Sequence, residues 1–187
     1  MGRFEESLSE LRHGMDLDPL SQFAHSLLGQ VLAFMGRVPD AIDRLRTALE
    51  LDPTSWLAIH FVGMAYRLDS QYPEAMEALE VAIALPGRQP WSLMELALAS
   101  VASGDRLRAE SIYDELVDRS RSEYVPPTTL SLVSAVLGRA DEAFEWLDRA
   151  YEERDALLNW VKIGPHYDPL RDDPRFSSLL KRMELDT

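Results

Sequence analysis

A step of 34 residues runs through this chain and limits what it can fold into. Gly2, Gly36, Ser70, Gly104 and Gly138 are spaced by that step. So are Ser7, Ala41, Ala75, Ala109 and Ala143, and Gly14, Ala48, Ala82, Leu116 and Ala150. Leu11, Leu45, Leu79, Tyr113 and Leu147 form a large apolar column, while Pro19, Pro53, Gly87, Arg121 and Asp155 form a terminating one that decays toward the C-terminus. A period of this length belongs to repeats of two helices, each burying its apolar face against its neighbours. The columns of small residues let paired helices approach, since a bulky side chain there would force the backbones apart. Gly36, Gly104 and Gly138 suit the sharp turn within each pair, where positive φ is cheap only for glycine. Leu51-Asp52-Pro53 ends a helix, because proline disfavours helical geometry in the residue before it, and Pro39 and Pro73 fit first turns.

The pattern predicts helices near 3–16, 20–34, 38–50, 54–68, 72–84, 89–102, 105–119, 127–136 and 139–152. Residues 121–127, with Pro126-Pro127, read as an exposed loop inside the lattice. The lattice starts in mid-repeat: residues 3–16 are a second helix whose stripe of Phe4, Leu8, Leu11 and Met15 lacks a partner on one flank. That stripe is a candidate for self-association, and a truncated or fragmentary chain that pairs into a homodimer is the expectation it carries. After Asp155 the chain departs from the step. Residues 156–163 read as a short helix closing the last repeat. Asp168-Pro169 and Asp173-Pro174 pair a capping carboxylate with a first-turn proline. A last amphipathic helix from Arg175 would then turn Phe176, Leu179, Leu180 and Met183 inward, covering the end of the array.

Leu28-Gly29, Ala41, Leu45, Ala48 and Leu51-Asp52-Pro53 resemble a tetratricopeptide repeat (TPR), and Val62-Gly63, Tyr66, Tyr72, Ala75, Leu79 and Ala82 resemble the next. The match is good over 20–87 and weaker beyond, where Ala97 and Ser100, then Ser131 and Ser134, replace the glycine and the aromatic residue. The resemblance implies an all-α chain, a right-handed α–α superhelix (TPR solenoid) with a C-terminal capping helix. It divides 1–187, a single array, into a half repeat at 1–19, repeats at 20–53, 54–87, 88–121 and 122–155, and a cap at 156–187. Tyr151-Glu152-Glu153-Arg154 with Tyr167 through Phe176 is similar to the C-terminal end of multidomain bacterial TPR proteins that carry winged-helix, kinase or cyclase-like domains. That similarity implies a bacterial signalling or transcription regulator as parent, with a cytoplasmic location.

Charge and composition exclude other classes. With 19 Lys plus Arg against 32 Asp plus Glu, the net charge of −13 opposes binding to nucleic acid or an anionic membrane. No cysteine is present, so thiolate chemistry and Cys-based metal sites are out. Of the four histidines, His13, His25, His60 and His166, no two share the i, i+4 spacing of a helical metal site. His25 reads as a packing residue. Phosphate-binding loops and nucleophile elbows are missing. Asp168, Asp172 and Asp173 lack the glycine and terminal glutamate of a calcium loop. The expectation is a non-enzymatic chain without cofactor or metal.

In the TPR resemblance, the first helices line a concave peptide groove. Candidates for that groove are Gln30, Phe34, His60, Phe61, Met64, Arg67, Trp91, Met94 and Leu98, with Phe23, Leu57 and Leu132 nearby. Such an apolar, aromatic and Met-rich lining suits an amphipathic helix or an extended apolar peptide of a protein partner. Burial of the same residues by neighbouring repeats or the C-terminal helix is the competing reading. With mainly Arg67 as cation, the face is poorly suited to clamp a C-terminal carboxylate. Truncating Phe61, Met64 and Met94 should then weaken binding while leaving thermal stability almost unchanged.

Overall fold

A computed structural model describes residues 4–86, 89–162 and 164–185. Gly2 and Gly87, members of two of the columns, lie outside those residues. The described chain is all-helical: α1 (Phe4–Leu17), α2 (Gln22–Phe34), α3 (Val38–Leu51), α4 (Trp56–Leu68), α5 (Tyr72–Ala84), α6 (Pro90–Ser103), α7 (Arg106–Arg119), α8 (Pro127–Val136), α9 (Ala140–Glu152) and α10 (Pro174–Arg182). Two stretches of 3₁₀ helix, Ala156–Trp160 and Pro165–Leu170, precede α10. The helices divide between two compact units, Met1–Ser103 and Gly104–Thr187.

Local chemistry explains the boundaries. Ser21 and Ser55, one step apart, accept hydrogen bonds from the Ala24 and Ala58 amides at 3.3 Å and so cap α2 and α4. Between α2 and α3, the Arg37 amide reaches back to the Leu32 carbonyl (2.9 Å) and the Gly36 amide to that of Ala33 (3.0 Å). This Schellman turn puts Gly36 at φ +74°. The next repeat makes the same pair of bonds, Gln71 to Tyr66 and Ser70 to Arg67, with serine held at φ +61°. A serine can thus occupy the glycine column, although the left-handed region costs it more.

In Met1–Ser103, α2 pairs with α3 and α4 with α5, while α4 lies against both α2 and α6. Ala41, Leu45, Ala48, Ala75 and Leu79 are fully buried. A Cβ on Gly29 would stand 2.5 Å from Leu45 Cγ, and one on Gly63 2.4 Å from Leu79 Cγ. The absent side chains are what let each pair close. The stripe of α1 packs on α2 along one flank. Leu8 is 1% exposed within the core of α2, α3 and α4, Leu11 and Met15 pack against that core, and Phe4 stacks on Phe34 at 6.4 Å between ring centroids. The exposed apolar residues at this end are instead Leu17, Leu20 and Phe23, at 76%, 74% and 57%.

In Gly104–Thr187, α8 and α9 pair and α7 packs on α8. Asp155 binds two segments at once: Oδ2 accepts from the Thr128 amide (3.0 Å) and hydroxyl (2.6 Å), and Oδ1 from the Leu157 amide (2.9 Å). Residues 121–124 are exposed, as the loop reading expected, but Val125 is 5% exposed and anchors the loop. The tail keeps the step better than its sequence indicates. Helix α10 begins 34 residues after α9, and Arg175 and Arg182 bind Asp141 (2.8 Å) and Asp148 (2.5 Å), each 34 residues back. Where a first helix would stand, the two 3₁₀ stretches run instead. Pro165 and Pro169 both lie there and remove backbone donors that an α-helix needs. Asp173 caps α10 as expected, whereas Asp168 sits inside a 3₁₀ stretch and pairs with Arg171. Phe176 and Leu179 are buried, with Leu180 and Met183 packed beside them.

Candidate protein-binding face

The first helices of the Met1–Ser103 unit carry most of the candidate groove residues. Phe23, Leu57 and Trp91 occupy one register on α2, α4 and α6, and Gln30, Met64 and Leu98 another. Burial separates them. Phe23 is exposed; Leu57, Trp91, Gln30 and Phe34 are half-buried. His60, Phe61, Met64, Arg67, Met94 and Leu98 are buried. Truncating Phe61 or Met64 therefore removes core packing, at about 2–5 kcal/mol, and the expectation of unchanged stability does not hold for them. The accessible part of the face is an aromatic and aliphatic edge, in which the Trp56 and Trp91 rings meet at 6.3 Å and 59°.

Beneath that edge lies a polar seam. Arg67 Nε donates to Glu95 Oε2 at 2.6 Å and Nη2 to Oε1 at 3.3 Å, with both side chains under a tenth exposed. His60 Nδ1 and Ser92 Oγ lie 3.3 Å apart. Burial lowers the His60 pKa to about 4, against a smaller opposing effect of the Glu95 carboxylate, and the Arg67 guanidinium lowers it further. The imidazole is thus neutral near pH 7. A serine–histidine pair invites thoughts of nucleophilic catalysis, but Ser92 is fully buried and the imidazole is too weak a base. Glu95 was the sign of this seam in the sequence: it is a carboxylate in the register of Leu27 and Phe61. The guanidinium that appeared to be the face's main cation is neutralised inside the protein.

Elsewhere, His25 is 5% exposed and its Nε2 lies 3.0 Å from the Pro19 carbonyl, a packing role. On α8, Thr128, Thr129 and Ala135 are buried, and Leu132 is half-buried. Among the described residues, no group of three or more His, Asp or Glu is placed to hold a metal ion. Nor is any helix of theirs long and apolar enough to cross a membrane.

Comparison with solved structures fits this geometry. The chain has the tetratricopeptide-repeat fold. MamA matches with a TM-score of 0.53 at 23% identity, covering 83% of this chain and 91% of that one. PilF of Pseudomonas aeruginosa matches over 100% of this chain and 86% of its own, with a TM-score of 0.57 and 20% identity. YrrB, described as a TPR protein with an unusual peptide-binding site, matches at 0.52 and 16%, over 92% and 89% of the two chains. The Cut9–Hcn1 hetero-tetramer gives a TM-score of 0.64 at 20% identity; 96% of this chain aligns with 39% of that one. Neither a family model nor a curated protein matches the sequence.

Proposed function

We propose that this chain is a non-enzymatic interaction scaffold that holds a peptide or protein segment on the α2–α4–α6 face of Met1–Ser103. The observation that carries this reading is the edge of Phe23, Leu57 and Trp91, repeated at one register and accessible above a closed ion pair. Large, stiff apolar groups of this kind dominate peptide recognition. With Arg67 bound to Glu95, the partner's anchors are apolar side chains rather than a carboxylate. The net charge of −13 directs the partner away from nucleic acid and anionic membranes. A cytoplasmic bacterial regulator as the parent protein rests on the resemblance of the tail.

The test is selection from a displayed peptide library on the full chain, followed by affinity measurements on the selected peptides. Phe23→Ser with Trp91→Ser should weaken them about tenfold or more, about 1.4 kcal/mol, with an unchanged circular dichroism spectrum. Retained affinity sinks this site. A second reading, self-association, is favoured by the exposure of Leu17, Leu20 and Phe23. Light scattering decides it: a dimer dissociated by Leu20→Glu supports it, and a monomer at all concentrations removes it.

A further inference from the structure

A cavity of about 430 Å³ opens between α1 and α3, away from the α2–α4–α6 face. Met15 of α1 and the nearly buried Leu28 and Leu32 of α2 give it an apolar floor. Charged side chains form the rim. Arg37 is engaged by Asp40, its Nε donating to Oδ2 at 2.8 Å, and Asp43 is held by Arg46 at 3.3 Å. Arg12 from one wall and Arg44 from the other have no hydrogen-bond or ion-pair partner among the described residues, nor has Asp16. Although the chain has 32 Asp and Glu residues, these two lining guanidiniums keep their donors available among the described residues, beside an apolar floor.

We infer that this cavity binds a short peptide segment in which an acidic group adjoins an apolar side chain. Guanidinium groups provide paired donors for a carboxylate. The apolar neighbour would sit on Met15, whose unbranched thioether adapts to varied shapes. Asp16 accepts hydrogen bonds, so it favours a ligand with N–H donors beside its carboxylate, as a peptide backbone has. The volume lies within the range of ligand-sized clefts. A side-chain carboxylate and a chain-terminal one share this chemistry.

The test uses the full chain labelled at methionine methyls and arginine Nε, titrated with acetyl-Glu-Leu-Phe amide, acetyl-Gln-Leu-Phe amide and acetyl-Gln-Leu-Phe with a free carboxylate. The Met15, Arg12 and Arg44 signals should move with the first probe, the third or both, which identifies the carboxylate source, and not with the uncharged second. Arg12→Gln with Arg44→Gln, both at exposed positions, should weaken the response about tenfold while the remaining spectrum keeps its dispersion. The proposal is overturned if the uncharged probe binds equally well, if the double variant binds as the parent does, or if no probe moves these signals. Trp91→Ser should leave the titration unchanged. Loss there would place the probe on the other face and overturn this site alone.

Discussion

Replacing Gly63 by alanine tests how closely a helix pair must approach. Helix propensity alone favours the change by about 1 kcal/mol. The structure opposes it. The new Cβ would lie 2.4 Å from Leu79 Cγ, 2.8 Å from Cδ2 and 3.2 Å from the Ala75 carbonyl oxygen. Leu79 is fully buried, and Cγ is the branch point of its side chain, so rotation about χ2 cannot remove the clash. Either α4 moves from α5 or Leu79 leaves its rotamer. Overpacking of this kind costs about 1–3 kcal/mol, and the propensity gain cuts this to a net loss of up to about 2 kcal/mol. Gly14 of α1 is the control, because a Cβ there meets nothing within 4 Å. Gly14→Ala should therefore stabilise by about 0.5–1 kcal/mol. Urea midpoints followed by circular dichroism should move in opposite directions for the two variants. The double variant Gly63→Ala/Leu79→Ala should lose less than the sum of the single losses, since the clash disappears with the leucine. Shifts of the same sign, or strict additivity, would refute the close-approach argument.

Two further predictions concern the polar seam. Glu95→Gln leaves the Arg67 guanidinium buried without its counter-charge and should cost about 3–5 kcal/mol, whereas the joint replacement Arg67→Met/Glu95→Leu should be nearly neutral or stabilising; equal losses in urea unfolding would contradict this. His60 adds a pH dependence. Above pH 6.5 neither folded nor unfolded chain holds the proton, while between 6.5 and about 4 the unfolded chain binds it and the folded one does not. Stability should therefore fall with pH across that window, by on the order of 3 kcal/mol, and His60→Asn should lack this component.

Much of the architecture was legible because each repeat solves its packing problem with the same residue types. The serines one step apart that cap α2 and α4, and the glycines against Leu45 and Leu79, act over distances that the step itself encodes. The tail was harder to read. Its step persists in the placement of α10, but Phe176 and Leu179 do not fall in the older apolar columns, so a column comparison loses it. The candidate face was half legible: composition marks which helices are apolar on that side, yet burial depends on what the neighbouring helix presents. Phe61 and Met64 are buried by the same packing that leaves Phe23 and Trp91 within reach. The Arg67–Glu95 bond joins residues 28 apart, and only the misplaced carboxylate at 95 announced it. The sequence leaves α1 a partner on one flank only, and the core that seats Leu8 against α2, α3 and α4 supplies that flank.

The side-chain bonds between elements described within each unit span short stretches of chain: 33 residues for Gln22 to Ser55, 28 for Arg67 to Glu95, 27 for Thr128 to Asp155 and 34 for Arg175 to Asp141. Each closes a small loop, and closure entropy grows only slowly with loop length. Such wiring makes folding a local affair: adjacent helix pairs can nucleate separately and recruit their neighbours, at the fast rates typical of helical chains with low contact order. The reverse process is equally local. Among the described residues α1 packs mainly on α2 and α10 on α9, so hydrogen exchange in this chain should begin in these two helices, where a protease should also gain entry.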